Sequence, residues 1–174
     1  MARNVEIKAR VDDIDTLRQK VQRLATTGPE DIVQDDTFFP CESGRLKLRA
    51  FSSEAGELIF YRRASDRGPK ESFYLRAPTA DPVALRDLLE TAFGCSGRVR
   101  KRRALYLIGR TRIHLDVVEG LGDFLELEVV LEESDTTEDG VLEANGLLAE
   151  LGIERSQLVE VAYVDLLSAN RVDS

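Results

Sequence analysis

The sequence predicts an α+β fold, with helices set into a mostly antiparallel sheet. Three observations carry this. Several segments alternate polar and apolar residues with the period of a strand. Turn residues separate them at short intervals. Three stretches instead repeat apolar residues at helical spacing, and no βαβ rhythm orders the whole.

The elements follow in order. Residues 3–11 alternate, with Asn4, Glu6, Lys8 and Arg10 on one face and Val5, Ile7, Ala9 and Val11 on the other. Asp12 and Asp13 can cap the helix that Ile14, Leu17, Val21 and Leu24 predict over about 13–26. Gly28-Pro29 reads as its stop. Ile32–Phe39 reads as a strand. Gly44–Phe51 and Glu57–Arg63 form a hairpin across the short 52–56 link. A polar loop over 64–69 leads to a strand at Lys70–Arg76. Asp81-Pro82 opens a second helix that ends at Gly94. Val99–Ile108, Ile113–Val118 and Phe124–Leu131 supply three further strands. Asp139–Leu151 is a third helix, and a short segment, Leu158–Leu167, closes the chain.

The length of 174 residues fits one domain, taken as 1–170. With 43% hydrophobic residues the chain can build a core. No apolar run approaches the ~18 residues of a membrane span, so no membrane role is expected. The charged N-terminus lacks a signal-peptide core, which makes the cytoplasm the expected location. Cys41 and Cys95 read as reduced thiols, and a single histidine, His114, cannot supply a two-histidine metal site.

A net charge of −8 argues against nucleic acid as a partner. The signs are nevertheless segregated. Basic residues gather over Arg45–Lys70 and Arg98–Arg103, and acids after Asp116. Charged alternation can mark a wet sheet face. Here Arg45, Lys47 and Arg49 would repel one another on such a face unless an anion sat among them. A barrel with a polar interior would hold a basic wall and an acidic wall, with helices covering its apolar outside. Arginines and lysines suit phosphates. Carboxylates suit a divalent cation between themselves and phosphate oxygens. No P-loop or other nucleotide fingerprint is present, so any phosphate site must be built from side chains.

Val5-Glu6-Ile7-Lys8-Ala9-Arg10 resembles the Glu-x-Glu-x-Lys signature of the CYTH superfamily, the triphosphate tunnel metalloenzymes. The Lys101–Tyr106 segment, His114-Leu115-Asp116 and Gly120-Leu121-Gly122-Asp123-Phe124-Leu125-Glu126-Leu127-Glu128 resemble the second half of class IV adenylyl cyclases. The resemblance runs the length of the chain. It implies an eight-stranded antiparallel barrel forming a tunnel. By position it implies Glu6, Asp116, Glu126 and Glu128 on the metal side, for Mg²⁺ or Mn²⁺. Lys8, Arg10, Lys47, Arg49, Arg62, Lys101 and Arg103 are implied on the triphosphate side, and no catalytic residue is assigned. The implied activity is conversion of ATP to cyclic AMP and pyrophosphate. The alternatives are hydrolysis of thiamine triphosphate or inorganic tripolyphosphate, or a module that binds nucleotide or polyphosphate without turnover. The oligomeric state stays open, a homodimer included.

Two departures stand out. Asn4 replaces the first acid of the signature. Lys70-Glu71-Ser72 stands where an Arg-x-Glu pattern is common, and a one-residue shift turns Glu71 to the opposite face. Both are expected to weaken the metal site. His114 shares the parity of Asp116 but reads as structural, Tyr163 reads as packing, and Arg98, Arg100 and Arg102 read as a solvated face.

Overall fold

The structure is a computed structural model and describes residues 2–63 and 70–172. The strands are β1 (Ala2–Arg10), β2 (Thr27–Phe39), β3 (Arg45–Ala50), β4 (Gly56–Arg63), β5 (Lys70–Thr79), β6 (Gly97–Ile108), β7 (Thr111–Val118) and β8 (Gly122–Leu131). They close into a barrel in the order β1-β5-β4-β3-β2-β6-β7-β8. All neighbours run antiparallel. The helices are α1 (Ile14–Leu24), α2 (Pro82–Phe93), α3 (Thr137–Leu151) and α4 (Tyr163–Val172). The expected eight-stranded α+β barrel is therefore present.

Some boundaries differ from the sequence pattern. β2 starts at Thr27, inside the stretch read as a helix stop, and its pairing with β6 shifts between Thr27 and Glu30. Thr27–Asp31 is exposed and lacks alternation, so no buried face announces it as a strand. A 3₁₀ turn at Arg155–Gln157 precedes the closing segment expected at Leu158–Leu167, and α4 takes up its second part and runs on to Val172. The polar loop expected over 64–69 lies outside the described residues.

The side-chain period of two decides where the core sits. Along β1, Asn4, Glu6 and Lys8 face inward, while Val5, Ile7 and Ala9 face outward and are buried. Leu125, Leu127 and Val129 of β8, and Ile113 and Leu115 of β7, repeat the pattern. These outward residues pack with Leu17 and Val21 of α1 and Ala144, Leu147, Leu148 and Leu151 of α3. A second outer cluster joins Phe39 and Leu48 to Leu89 of α2. A third lies inside one end of the barrel. There Phe38, Val99, Val118 and Phe124 meet Ala162, Tyr163 and Val164 at the start of α4.

Helix caps fix how these covers begin. Asp13 accepts from Thr16 N at 3.0 Å at the start of α1. Asp81 accepts from Ala84 N at 2.9 Å and Pro82 follows it at the start of α2. Thr136 and Asp139 form a capping box for α3. α3 lies close on the barrel at Gly140, where a Cβ would come within 2.7 Å of Val5 Cγ2 and 2.8 Å of Leu131 Cδ2. Gly140→Val is therefore expected to lower the unfolding free energy by about 1–3 kcal/mol. Urea titration followed by circular dichroism measures this, and an unchanged midpoint would show that α3 can lift off the barrel at little cost.

Candidate functional site

The inward faces of all eight strands line a cavity of about 340 Å³, with Tyr163 and Val164 of α4 at one end. Its charges fall into two groups.

The first group is built on two buried aspartates. Asp36 of β2 accepts from Arg49 Nε at 2.8 Å, Arg49 Nη2 at 2.7 Å and Lys47 Nζ at 2.8 Å. Asp36 and Arg49 sit directly opposite across β2 and β3. Asp116 of β7 accepts from Arg103 Nε and Nη2, both at 2.7 Å, and from Lys101 Nζ at 3.0 Å. Asp116 also accepts from the Tyr163 hydroxyl at 3.0 Å. Lys8 Nζ sits 4.1 Å from the centre of the Tyr163 ring and donates to the Val161 carbonyl at 3.4 Å.

Burial alone would raise both aspartate carboxyls. For Asp36, Arg49 and Lys47 outweigh it; for Asp116, Arg103 and Lys101 do, so both stay well below the usual carboxylate range. Burial, reinforced by Arg49, pushes the Lys47 ammonium down to about 7 despite Asp36. Arg49, gripping both Asp36 oxygens, is thus the firm partner of that aspartate, and Lys47 the conditional one. Burial and Asp116 hold the Tyr163 phenol well above its ordinary value, which keeps it a donor.

The second group lies one to two register steps away along β8 and β1. Glu6 and Glu128 face each other across β1 and β8, as do Lys8 and Glu126. Ser72 donates to Glu6 at 2.7 Å. Glu128 Oε1 accepts from Arg112 Nη1 at 3.0 Å and from the Asn4 amide. His114, opposite Glu126, places Nδ1 4.0 Å from Glu126 Oε1 and Nε2 4.0 Å from Glu128 Oε2. One donor atom from each of His114, Glu126 and Glu128 lies within 4.8 Å of the others. Burial, with Glu126 nearby, raises the Glu128 carboxyl above its ordinary value, with Arg112 opposing. Glu126 is held low by Arg103, Lys101 and Lys8 against its burial. Burial and Arg103 leave His114 neutral. His114 Nδ1 is buried without a hydrogen-bond partner. Crowded carboxylate oxygens in a partly enclosed pocket are a donor set that fits a hard divalent cation.

The predicted residues can now be placed. Lys8, Lys47, Arg49, Lys101 and Arg103 all face the lumen together, and Glu6, Glu126 and Glu128 share its other region. Asp116, expected with the metal-side acids, lies instead among the bases, because Arg103 stands directly opposite it. Arg10 has the lumen parity but, as the last residue of β1, is exposed at the barrel's end, 5.1 Å from the centre of the Phe124 ring. Arg62 is corrected to the outside. Glu57, Ile59 and Tyr61 of β4 face inward, so Arg62 must face outward. There its Nε donates to the Ser43 carbonyl at 2.7 Å. Glu71 likewise faces out and pairs with Arg3 at 3.0 Å, and Arg98 pairs with Asp35 on the outer face.

Sequence reasoning missed Asp36, Arg76 and Arg112 as lumen residues, and it undervalued His114 and Tyr163. The available signal was parity. Asp36 alternates with Phe38, Arg112 with His114 and Asp116, and Arg76 with Ser72.

The fold and the site define a class first: a closed antiparallel tunnel barrel whose lumen sets paired bases beside a carboxylate group. The chain belongs to the CYTH domain family, whose model matches residues 2–163. Tunnel enzymes of this family bind triphosphates and depend on divalent metal. The chain is 24% identical to adenylate cyclase CyaB of Aeromonas hydrophila over 91% of its own length and 85% of that protein. Its fold matches the PH1012 protein of Pyrococcus horikoshii with a TM-score of 0.83 and 24% identity, covering 94% of this chain and 98% of that one. It also matches a Hippeastrum protein described as a candidate adenylyl cyclase with a dominant triphosphatase activity. That match has a TM-score of 0.64 and 18% identity, covering 98% of this chain and 96% of the other. Among the described residues no helix is long and apolar enough to cross a membrane.

Removing one member of a buried charge group leaves the rest uncompensated. Asp116→Asn is expected to lower the unfolding free energy by about 3–5 kcal/mol in buffer free of polyphosphate. Chemical denaturation reads this directly; a loss under about 1 kcal/mol would mean that Glu126 and solvation, not Asp116, offset the charges of Lys101 and Arg103.

Proposed function

We propose that the protein is a divalent-metal-dependent enzyme that acts on a triphosphate held in the lumen, and that ATP, cyclised to cyclic AMP with release of pyrophosphate, is its substrate. One observation carries the reading. Lys8, Lys47, Arg49, Lys101 and Arg103 converge on the same cavity as Glu6, Glu126 and Glu128. The likeness to an adenylate cyclase over most of the chain supports the choice of ATP. So do Phe38, Tyr61 and Tyr74, which give the lumen aromatic surface for an organic group.

In this reading the arginines bind phosphate oxygens through forked N–H pairs and the lysines act as point charges. Asp36 and Asp116 hold Arg49 and Arg103 in place before substrate arrives, so little reorganisation is left for the reaction. Glu6, Glu126 and Glu128 would hold the metal, which would supply positive charge against that developing on the phosphates. Cyclisation needs the ribose 3′ oxygen to attack the α-phosphorus. The bond from that phosphorus to the β-bridging oxygen breaks, the hydroxyl proton goes to a base, and pyrophosphate leaves.

The test is an assay with ATP, thiamine triphosphate and tripolyphosphate, each with Mg²⁺ or Mn²⁺, following cyclic AMP and phosphate. Cyclic AMP from ATP supports the reading, whereas phosphate alone makes the protein a hydrolase. Tight binding without turnover makes it a binding module. Glu126→Ala is expected to abolish metal-dependent turnover while the protein stays folded. Arg49→Ala is expected to weaken triphosphate binding, with Arg62→Ala as the unaffected control.

Lys47 adds a pH dependence. A bound triphosphate favours the ammonium, so its pKa rises from about 7 on binding. Binding therefore takes up a proton above pH 7. The affinity of the parent relative to Lys47→Met should fall there by up to about tenfold per pH unit, then level off once the pKa of the complex is passed. The ratio cancels the ligand's own ionisation; a flat ratio from pH 6 to 9 would exclude Lys47 as a phosphate contact.

A further inference from the structure

We propose that His114 is a nitrogen ligand to the divalent ion, completing a mixed donor set with Glu126 and Glu128 that favours Mn²⁺ over Mg²⁺. The inference rests on the reading of this lumen as a metal site.

Four observations point to it. His114 is only 4% exposed, and its Nδ1 has no hydrogen-bond partner. A buried imidazole nitrogen left unpaired costs free energy unless something accepts or binds it. Its two nitrogens each face a carboxylate oxygen at 4.0 Å. That is too long for a hydrogen bond, so neither contact satisfies the ring. One ring offers only one nitrogen to a given ion, because the two lone pairs diverge; the unpartnered Nδ1, 4.0 Å from Glu126 Oε1, is that nitrogen. Bonds of about 2.1 Å put adjacent donors about 3.0 Å apart and opposite donors about 4.2 Å apart; the three donors lie within 4.8 Å of one another, so the side chains would have to draw in slightly around an ion.

The fourth observation concerns Glu128. Its Oε1 is already held by Arg112 and by the Asn4 amide, which leaves Oε2 as the oxygen left for an ion. Asn4 thus acts as a positioning donor that aims a carboxylate, in a place where a carboxylate would have crowded Glu128. Fewer acids and one imidazole shift the set away from an all-oxygen site. Mg²⁺ prefers oxygen and gains little from imidazole, whereas Mn²⁺ accepts it more readily.

The chain contains a single histidine, which makes the assignment unambiguous. Tag-free protein loaded with Mn²⁺ alone is examined by electron spin-echo envelope modulation for ¹⁴N coupling from an imidazole. Mn²⁺ and Mg²⁺ affinities are measured by titration for the parent, His114→Gln and Asn4→Ala, with circular dichroism to verify folding. The parent is expected to show the ¹⁴N modulation. His114→Gln should lose it and bind Mn²⁺ about tenfold or more weakly, while Mg²⁺ affinity changes far less. Asn4→Ala should keep the modulation with weakened binding. Mn²⁺ bound in the parent without ¹⁴N coupling overturns the role of His114 and leaves the metal site standing. No Mn²⁺ binding at all overturns the metal-site reading together with it. Modulation that persists in His114→Gln shows that the nitrogen is not the imidazole, and equally overturns the proposal.

Discussion

The structure turns on one electrostatic constraint. A closed barrel has no edge, and a charge buried on its inner face must be compensated there. Asp36 and Asp116 meet that demand for four of the lumen bases. An interior filled this way cannot also be the hydrophobic core. The apolar faces therefore point outward, and α1, α2 and α3 are required to cover them. The inverted arrangement of polar inside and apolar outside follows from the same period-two alternation that in most sheets does the reverse.

Buried ion groups stabilise little on balance, since desolvation offsets most of the attraction. What they give is definition. Arg49 and Arg103 each grip an aspartate through two nitrogens, so their guanidinium planes are fixed by geometry and not by solvent. Tyr163 extends this order to the end of the chain. Its hydroxyl is tied to Asp116, its ring lies under Lys8 and Lys101, and it meets Phe124 edge-on at 4.8 Å. The start of α4 is thereby anchored to the charged lumen as well as to the apolar cluster at its end. Arg45, paired with Asp165, holds the first turn of α4 from the rim.

The fold was largely legible because alternation, turn residues and helical spacing all agreed. All eight strands were visible in the pattern, and Glu6, Lys8, Lys47, Arg49, Lys101, Arg103, Glu126 and Glu128 had parities that a barrel turns inward. Three things were not legible. The first part of β2 is exposed, so it carries no alternation to read. Arg62 was drawn in by its neighbours in a basic stretch, although Tyr61 beside it holds the inward parity. Asp116 was grouped with the acids because sequence reveals the sign of a charge but not which opposite strand faces it; the register supplies Arg103. His114 lies in a segment that carries the resemblance and Tyr163 does not, but for both only the closed geometry shows what surrounds them.

The charge balance of the cavity bears on what it can take. Among the described residues, seven lysines and arginines line it against five glutamate and aspartate side chains, with Asp116 fully buried behind them. The described part of the lining is thus only slightly cationic. A bare ATP-like triphosphate carries about four negative charges and would overcompensate it, whereas the same anion with a divalent ion carries about two. The bases are also largely committed: Arg103 spans Asp116 and Glu126, and Arg112 holds Glu128. A bare polyanion would have to compete with those carboxylates for every contact. A metal-bound one brings a cation that the carboxylates can take in exchange, releasing the arginines to the phosphates. On this accounting the acids would not obstruct phosphate binding but would favour the metal complex over the bare anion.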